Sequence, residues 1–218
     1  MELRVICISR ALAAEGENIG RAIAQRLRFR YVDEQIIARA AQEAQLAPTV
    51  VAAAEHQQPV LKRLLDKLAL AIEVAGSPVS VLGTGASLDA APIAYPATPA
   101  DLRALIQSAI HDVARTGQAV IVGHAASLTL SGMKGVLRVL VTASSETRAK
   151  RLAVEQGLSI ATAVDAIAAS DRERRAYFRN FYSVADELPT QYDVVINTDV
   201  LTLAHAREMI LSVVEPVP

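Results

Sequence analysis

Short apolar runs alternate with segments of helical period along this chain of 218 residues. The first run, residues 4–9, is rich in β-branched side chains and apolar throughout its centre, which is typical of a strand covered on both faces in a parallel sheet. Between such runs, apolar side chains recur at the helical period of about 3.6 residues, which predicts helices. This alternation predicts an α/β fold with a mostly parallel sheet. The further predicted strands are residues 29–32, 119–123, 136–142 and 193–197.

Capping residues indicate where several helices begin and end. Ser144 and Ser159 stand where N-caps are expected, and Gly157 is placed to end the first of these two helices after Gln156. The second is predicted to continue towards Phe181. The other predicted helices begin near residues 19, 36, 59, 99 and 203.

Charge and composition exclude several classes of function. Charged residues make up 21% of the chain and the net charge is −1, so no general positive field would gather a nucleic acid. No apolar run approaches the ~18 residues that cross a bilayer. Cys7 is the single cysteine, so it has no disulfide partner in the chain, which fits a reducing compartment. We therefore expect a soluble, cytoplasmic protein that binds neither nucleic acid nor membrane.

The chain length favours a single domain over residues 1–218, because domains usually hold about 100–200 residues. Residues 76–99 contain glycines and prolines without a sustained period. This stretch predicts an irregular surface excursion within the domain.

The turn after the first strand, residues 11–20, is the first candidate site. A strand, a tight loop and a helix N-terminus together direct backbone N–H groups at an anion, so the position favours phosphate. The standard phosphate loop reads G-x-x-x-x-G-K-[ST], and this turn has neither the lysine nor the hydroxyl that follows it. An ordinary strand-to-helix loop ending at Gly20 is the alternative.

Asp33 and His124 are candidate binding residues because each follows a predicted strand. The carboxyl ends of parallel strands border the crevice where such folds bind ligands. Asp33 is equally well explained as the cap of the next helix. The remaining histidines, His56, His111 and His205, lack the spacing of metal ligands, so the sequence leaves any metal site unknown.

Arginines recur on the predicted helix after Ser159. Arg172, Arg175 and Arg179 are spaced by three and four residues, so they share one helical face and could converge on a phosphate. The alternative is a solvated face on which acidic neighbours pair with them.

Seven segments of the chain form a recognisable series. They are I-x-I-S-R at 6–10, E-G-E-N-I-G at 15–20, Y-V-D-E-Q-I-I at 31–37, V-I-V-G-H at 120–124, residues 139–151, D-R-E-R-R-A-Y at 171–177 and Y-D-V-V-I-N-T at 192–198. In this order they resemble the cytidylate kinase-like family, relatives of cytidylate kinase among the P-loop nucleoside monophosphate kinases. Residues 50–97 carry little of the resemblance.

The resemblance implies a P-loop nucleoside triphosphate hydrolase-like three-layer fold. That fold has a sheet of about five mostly parallel strands with helices on both faces, and here a helical lid would lie around residues 157–185. The implied activity is ATP-dependent phosphoryl transfer to a pyrimidine nucleoside monophosphate. ATP and Mg²⁺ are the implied cofactors, nucleotides the partners, and a homodimer is a candidate assembly.

The site residues implied by the resemblance fall into three groups. The phosphates of ATP would be held by Ser9, Arg10, Glu15, Gly16, Glu17, Asn18, Ile19 and Gly20. The acceptor would be bordered by Asp33, Arg39 and His124. The lid arginines that close over the transferring group would be Arg172, Arg175 and Arg179.

The first loop departs from the family pattern. The family has G-S-G-G-R where this chain has A-A-E-G-E at residues 13–17, which makes the loop a degenerate Walker A motif. Alanine restricts positive φ, and Glu15 and Glu17 oppose phosphate unless Arg10 or Arg21 neutralises them. Two functions stay open: an active kinase, or a catalytically impaired nucleotide-binding or regulatory protein on the same fold.

Overall fold

The computed structural model of the protein describes residues 3–33, 36 and 99–214. Arg39, the helix predicted near residue 59 and all but the last residue of the 76–99 excursion lie outside the described residues. So does the helix predicted near residue 36, apart from Ile36 itself.

The described part of the chain contains one five-stranded parallel sheet. Its strands are β1 (Val5–Arg10), β2 (Arg30–Val32), β3 (Ala119–Val122), β4 (Val136–Thr142) and β5 (Val194–Asn197). Their order across the sheet is β2-β3-β1-β4-β5. Strand β1 is central, since Ile8 lies opposite both Val122 and Val139. The predicted sheet is confirmed, and its parallel strands bring their carboxyl ends to a common edge.

Six α-helices and one short 3₁₀ turn accompany the sheet in these residues. The helices are α1 (Gly16–Leu27), α2 (Pro99–Thr116), α3 (Ala126–Thr129), α4 (Ser145–Gln156), α5 (Ile160–Tyr182) and α6 (Leu203–Val214), and the 3₁₀ turn is Pro189–Gln191. Both predicted serine caps are present: the Ser144 Oγ accepts from the Thr147 N–H at 3.2 Å and the Ser159 Oγ from the Thr162 N–H at 3.1 Å. The short helix α3 and the 3₁₀ turn were not predicted.

Helices cover both faces of the sheet, as predicted. On one face, Ile106 and Ile110 of α2 pack in a cluster with Cys7 of β1. On the other face, Ile23 of α1 and Ile210 of α6 share a cluster with Ile6 and Ile8 of β1. Because Cys7 is fully buried, its thiol pKa is raised to about 12, so the thiol stays protonated and unreactive.

The predicted lid segment, residues 157–185, contains α5, which packs against α4, and the two helices together are called the lid below. They meet at an angle of 116° and enclose a small apolar cluster that contains Leu152 and Ile167. Among the described residues, no single helix is long and apolar enough to cross a membrane, and only this bent pair reaches the required length and composition together.

Candidate functional site

The loop between β1 and α1 forms a tight turn without the usual glycines. Ala13 and Glu15 have φ angles of 58° and 71°, in the left-handed region that costs a residue with a side chain about 1–2 kcal/mol. Gly16 has no room for a side chain, because a Cβ atom there would lie 2.5 Å from the Cβ of Arg10. The loop therefore keeps a strained, closely packed course despite its changed sequence.

Two side chains from other elements anchor this loop. The buried Thr198, which follows β5, donates from its Oγ1 to the carbonyl oxygen of Ala14 at 3.2 Å. Arg151 of α4 donates to the Thr198 Oγ1 at 2.9 Å and to the Thr198 carbonyl at 2.6 Å. These contacts tie the loop to the lid and to β5, and they offset part of the strain.

The N-terminus of α1 has no side-chain cap, so its first N–H groups lack helical partners and face an anion or solvent. The two acidic residues of the loop are both engaged. Glu15 accepts from the Asn18 amide at 2.7 Å, and Glu17 forms an ion pair with Arg10. Of the two arginines expected to neutralise the acids, Arg10 does so, whereas Arg21 lies 4.3 Å above the Tyr31 ring.

Asp33 and His124 lie together at the edge of the sheet. The His124 Nε2 is 3.0 Å from the Asp33 carbonyl oxygen and 3.3 Å from its Oδ1. Burial by itself would raise the pKa of Asp33, but the His124 hydrogen bond and the charges of His124 and Arg10 outweigh it and hold that pKa below its ordinary value. Asp33 is thus an ionised carboxylate at neutral pH.

Arg174 of α5 is held against the sheet edge by several groups. Its Nε and Nη2 donate to the two carboxylate oxygens of Glu187 at 2.8 and 2.7 Å. Its Nη2 also donates to the Ser9 Oγ at 2.7 Å, and its guanidinium lies 4.6 Å from the centre of the Phe178 ring. The Tyr192 hydroxyl completes the group through a short hydrogen bond to Glu187.

The acid–base state of this group follows from its burial and its charges. Burial alone would raise the pKa of Glu187, but the hydrogen bond and charge of Arg174 outweigh it, so the pKa lies below its ordinary value. Burial and the Glu187 charge raise the pKa of Tyr192 well above its ordinary value. Arg174 and Glu187 are therefore a charged pair, and Tyr192 is a neutral donor.

Two hollows open on either side of Arg174. The first hollow, of about 240 Å³, lies between the end of β1, the end of β3 and α5, and the second, of about 310 Å³, lies between β1, β4 and the lid. Arg10, Glu17 and His124 line the first hollow. Arg148, Asp171 and Arg175 line the second. Arg174 and Phe178 line both, so they form the partition between them.

The predicted lid arginines all lie on α5. Arg172, Arg175 and Arg179 are all exposed. Arg172 and Arg175 border a third hollow of about 480 Å³ between α4 and α5, and Arg175 also borders the second. Arg179 lies in the last turn of the helix.

Of the eight residues predicted to hold phosphate, three line the first hollow and two pack in the core. Ser9, Arg10 and Glu17 line the first hollow. Ile19 is fully buried in the core, and at Gly20 a Cβ atom would lie 2.8 Å from the Val122 Cγ2. The last two thus pack α1 against the sheet.

Sequence reasoning missed Arg174, Glu187 and Tyr192. The signal for Arg174 was the apolar stripe of α5. Ile167 and Phe178 are buried, and Arg174 stands four residues before Phe178, which places it on the same inward face. No comparable signal marks Glu187, which reaches Ser9 across 178 positions of sequence.

The donor set does not fit a metal centre held by protein side chains. The described residues contain no group of three or more His, Cys, Asp or Glu side chains that could hold an ion. Asn18 stands near the place of the usual hydroxyl, and its amide already donates to Glu15. Mg²⁺ commonly binds through nucleotide phosphates with few protein ligands, and that is the form of Mg²⁺ binding with which these residues are compatible.

Two solved structures have the same fold. An uncharacterized protein from Eubacterium ventriosum is 16% identical, with a TM-score of 0.63 over 97% of this chain and 98% of that one. Shikimate kinase from Bacteroides thetaiotaomicron is 17% identical, with a TM-score of 0.51 over 96% and 97% of the two chains. No curated protein matches the sequence. The likeness to the two structures shows that the chain shares their α/β fold.

A family model described as the cytidylate kinase-like family matches residues 5–200. The match includes the loop after β1, Asp33, His124, the lid and Tyr192. The chain therefore belongs to the cytidylate kinase-like family.

Proposed function

We propose that this protein transfers the γ-phosphoryl group of ATP to a pyrimidine nucleoside monophosphate. Membership of the cytidylate kinase-like family supports a nucleotide kinase-like function. The observation that carries the finer proposal is the position of Arg174, which forms the partition between two neighbouring hollows. A group that passes from a donor in one hollow to an acceptor in the other would pass this guanidinium.

Phosphoryl transfer needs positioning and charge neutralisation more than covalent catalysis. Arg174 supplies a planar cation that matches the oxygens of a phosphoryl group. Arg10 supplies a second cation in the first hollow. The uncapped N-terminus of α1 adds backbone N–H groups for the donor phosphates.

The remaining predicted residues are assigned by position. Asp33 and His124 lie together at the sheet edge beside the first hollow, which supports acceptor binding there. We also assign Arg39 to the acceptor, from the family resemblance alone, since it lies outside the described residues. Arg175 borders the second hollow and, with Arg172, the hollow between the lid helices, and we assign both arginines to the donor nucleotide. A cytoplasmic location goes with this activity and with the single free thiol of Cys7.

A second candidate function is nucleotide binding without turnover. Glu17 pairs with Arg10 and Glu187 pairs with Arg174, so both cations beside the first hollow are already partly neutralised. A nucleotide phosphate would have to compete with these carboxylates. This observation favours a protein that binds a nucleotide weakly and has lost efficient catalysis.

A coupled assay with ATP, Mg²⁺ and CMP, dCMP or UMP at millimolar concentration tests the proposal. We expect turnover above a protein-free blank, and we expect Arg174→Ala to lower kcat by about 10²–10³, the usual loss when one transition-state donor is removed. The control is Arg207→Ala on α6, where Arg207 pairs with its neighbour Glu208 and lines none of the three hollows. Its turnover should equal that of the natural protein.

Two results would contradict the proposal. Folded protein that binds ATP in calorimetry but transfers no phosphoryl group to any of the three acceptors would establish the second candidate instead. Equal turnover of the Arg174→Ala and Arg207→Ala variants would show that Arg174 does not contribute to phosphoryl transfer, and the proposal would lose its main support.

A further inference from the structure

Glu187 holds the Arg174 side chain in a single orientation. It lies between α5 and the 3₁₀ turn, and both of its oxygens accept from Arg174, at 2.8 and 2.7 Å. Such a fork-to-fork pair fixes the plane of the guanidinium as well as its position. The side chain of Glu187 is 17% exposed and that of Arg174 is 23% exposed, so water competes little for these hydrogen bonds.

Glu187 is itself held by two buried hydroxyls. The Ser9 Oγ donates to Glu187 at 3.1 Å, and the Tyr192 hydroxyl donates to the same carboxylate oxygen. Ser9 belongs to the central strand β1, and Tyr192 lies two residues before β5. The carboxylate is thus fixed relative to the sheet edge and not merely to the lid.

One edge of Arg174 stays available for a ligand. Its Nε–H and its Nη2 hydrogens are engaged by Glu187 and Ser9. Within the described ranges, the two Nη1 hydrogens have no hydrogen-bond partner, and the Phe178 ring covers one face of the group. A long side chain that would otherwise sample many rotamers therefore presents two donors without further ordering, which is the preorganisation that transition-state stabilisation requires.

We propose that Glu187 is the positioning residue that fixes Arg174 at the partition between the two hollows, with Ser9 and Tyr192 fixing Glu187 in turn. This role rests on the phosphoryl transfer proposed above. The negative charge of Glu187 lowers the ground-state attraction of Arg174 for an anion. The two hydrogen bonds to Glu187 orient the guanidinium and thereby the two Nη1 hydrogens of Arg174. Loss of Glu187 should therefore lower kcat and leave substrate binding nearly unchanged.

A matched control exists in the same part of the molecule. Asp193, the residue after Tyr192, pairs with Arg138 through the same two-bond arrangement, at 3.1 and 2.6 Å. Neither residue of this pair lines any of the three hollows. Asp193→Asn thus removes an equivalent pair without touching the partition.

The experiment compares the natural protein with Glu187→Gln, Tyr192→Phe and Asp193→Asn. In ¹⁵N-labelled protein the Arg174 Nε–H resonance, assigned by its absence from Arg174→Lys, reports whether the guanidinium is fixed. We expect a sharp resonance in the natural protein and in Asp193→Asn, and its loss by exchange in Glu187→Gln. In the kinase assay we expect Glu187→Gln to lower kcat by about 10- to 100-fold with KM within about threefold, and Tyr192→Phe to have a smaller effect in the same direction.

The outcomes separate the positioning role from the proposed function. A Nε–H resonance that stays equally sharp in Glu187→Gln would overturn the positioning role, whatever the turnover. Equal kcat values for Glu187→Gln and Asp193→Asn, with an active natural protein, would also overturn it. If the resonance is lost in Glu187→Gln but the natural protein has no turnover, Glu187 does fix Arg174 and the proposed kinase activity is wrong.

Discussion

Two arginine–carboxylate pairs, each joined by two side-chain hydrogen bonds, serve two very different regions of this molecule. In the lid, Arg148 of α4 donates to both oxygens of Asp171 on α5, at 2.9 and 2.7 Å. At the start of β5, Arg138 of β4 donates to both oxygens of Asp193, at 3.1 and 2.6 Å. The side chain of Arg148 is 7% exposed and that of Arg138 is 23% exposed.

The difference in burial decides what each pair does. The lid cluster consists mainly of alanines around Leu152 and Ile167, so α4 and α5 have little apolar surface with which to hold each other. Arg148 also donates to the Ala143 carbonyl at 3.0 Å, and so it joins α4 both to α5 and to the segment that follows β4. The β4–β5 contact has backbone pairing along its length and depends less on its ion pair.

The largest expected effect in this comparison is that of Arg148→Ala. Removal of Arg148 leaves Asp171 and the Ala143 carbonyl without their donor, which should cost about 3 kcal/mol, the lower end of the range for buried pairs, because Asp171 is 26% exposed. We expect a loss of that size in the free energy of unfolding, measured by urea denaturation. Replacing both partners, as in Arg148→Met with Asp171→Leu, should recover a large part of it, because no charge is then left unpaired. A loss no greater than that of Asp193→Asn would show that burial does not separate the two pairs.

Most of the fold could be predicted because its signals are local. Ser144 and Ser159 cap their helices through hydrogen bonds that span only three residues, and the buried strand β3 is apolar at every position. The helix Ala126–Thr129 has only four residues, which is about one turn, so it carries no period that a pattern could reveal.

The candidate site was harder to predict because its contacts join distant residues. Spacing alone grouped Arg172, Arg175 and Arg179, whereas the phase of α5 is set by the burial of Phe178 and brings Arg174 inward. The contact between Ser9 and Glu187 depends on the tertiary fold. The strained loop also contradicts local preference, since Ala13 and Glu15 adopt the positive φ that normally requires glycine.

A second prediction tests the apolar side of the lid. Leu152 is 2% exposed within the small α4–α5 cluster, so Leu152→Ala should lower the free energy of unfolding by about 2–4 kcal/mol through lost burial and the cavity left behind. Val154, two residues along the same helix, is 86% exposed. Val154→Ala is the control and should shift the urea midpoint very little, whereas equal shifts for the two variants would contradict the assigned packing of α4 on α5.

A smaller effect is expected for the Arg138–Asp193 pair, at the start of β5. The hydrogen bond from Arg138 is the main cause that holds the pKa of Asp193 below its ordinary value. A carboxyl whose folded-state pKa is lowered stabilises the protein above its unfolded-state pKa of about 3.9, and that contribution is lost as pH falls through the folded-state pKa. Because this pair is well exposed to solvent, we expect Asp193→Asn to cost at most about 1 kcal/mol near neutral pH.

The pH dependence of that difference is the check. Urea denaturation of the natural protein and of Asp193→Asn at about pH 7 and about pH 2 should give a difference at the higher pH that is smaller at the lower one, because the contribution of the carboxylate is lost as pH falls through its folded-state pKa. A difference that persists unchanged at about pH 2 would mean that the aspartate contributes through packing and not through its charge.

The smallest expected effect belongs to a third ion pair, on the outer surface of α4. Lys150 pairs with Glu146 one turn earlier, and their side chains are 65% and 77% exposed. The hydrogen bond from Lys150 lowers the pKa of Glu146, yet solvent and salt screen such pairs so strongly that many contribute nothing measurable. We expect Lys150→Ala to have the same urea midpoint as the natural protein at physiological salt. A loss approaching that of Arg148→Ala, on the same helix, would mean that the number of ion pairs and not their burial stabilises the lid.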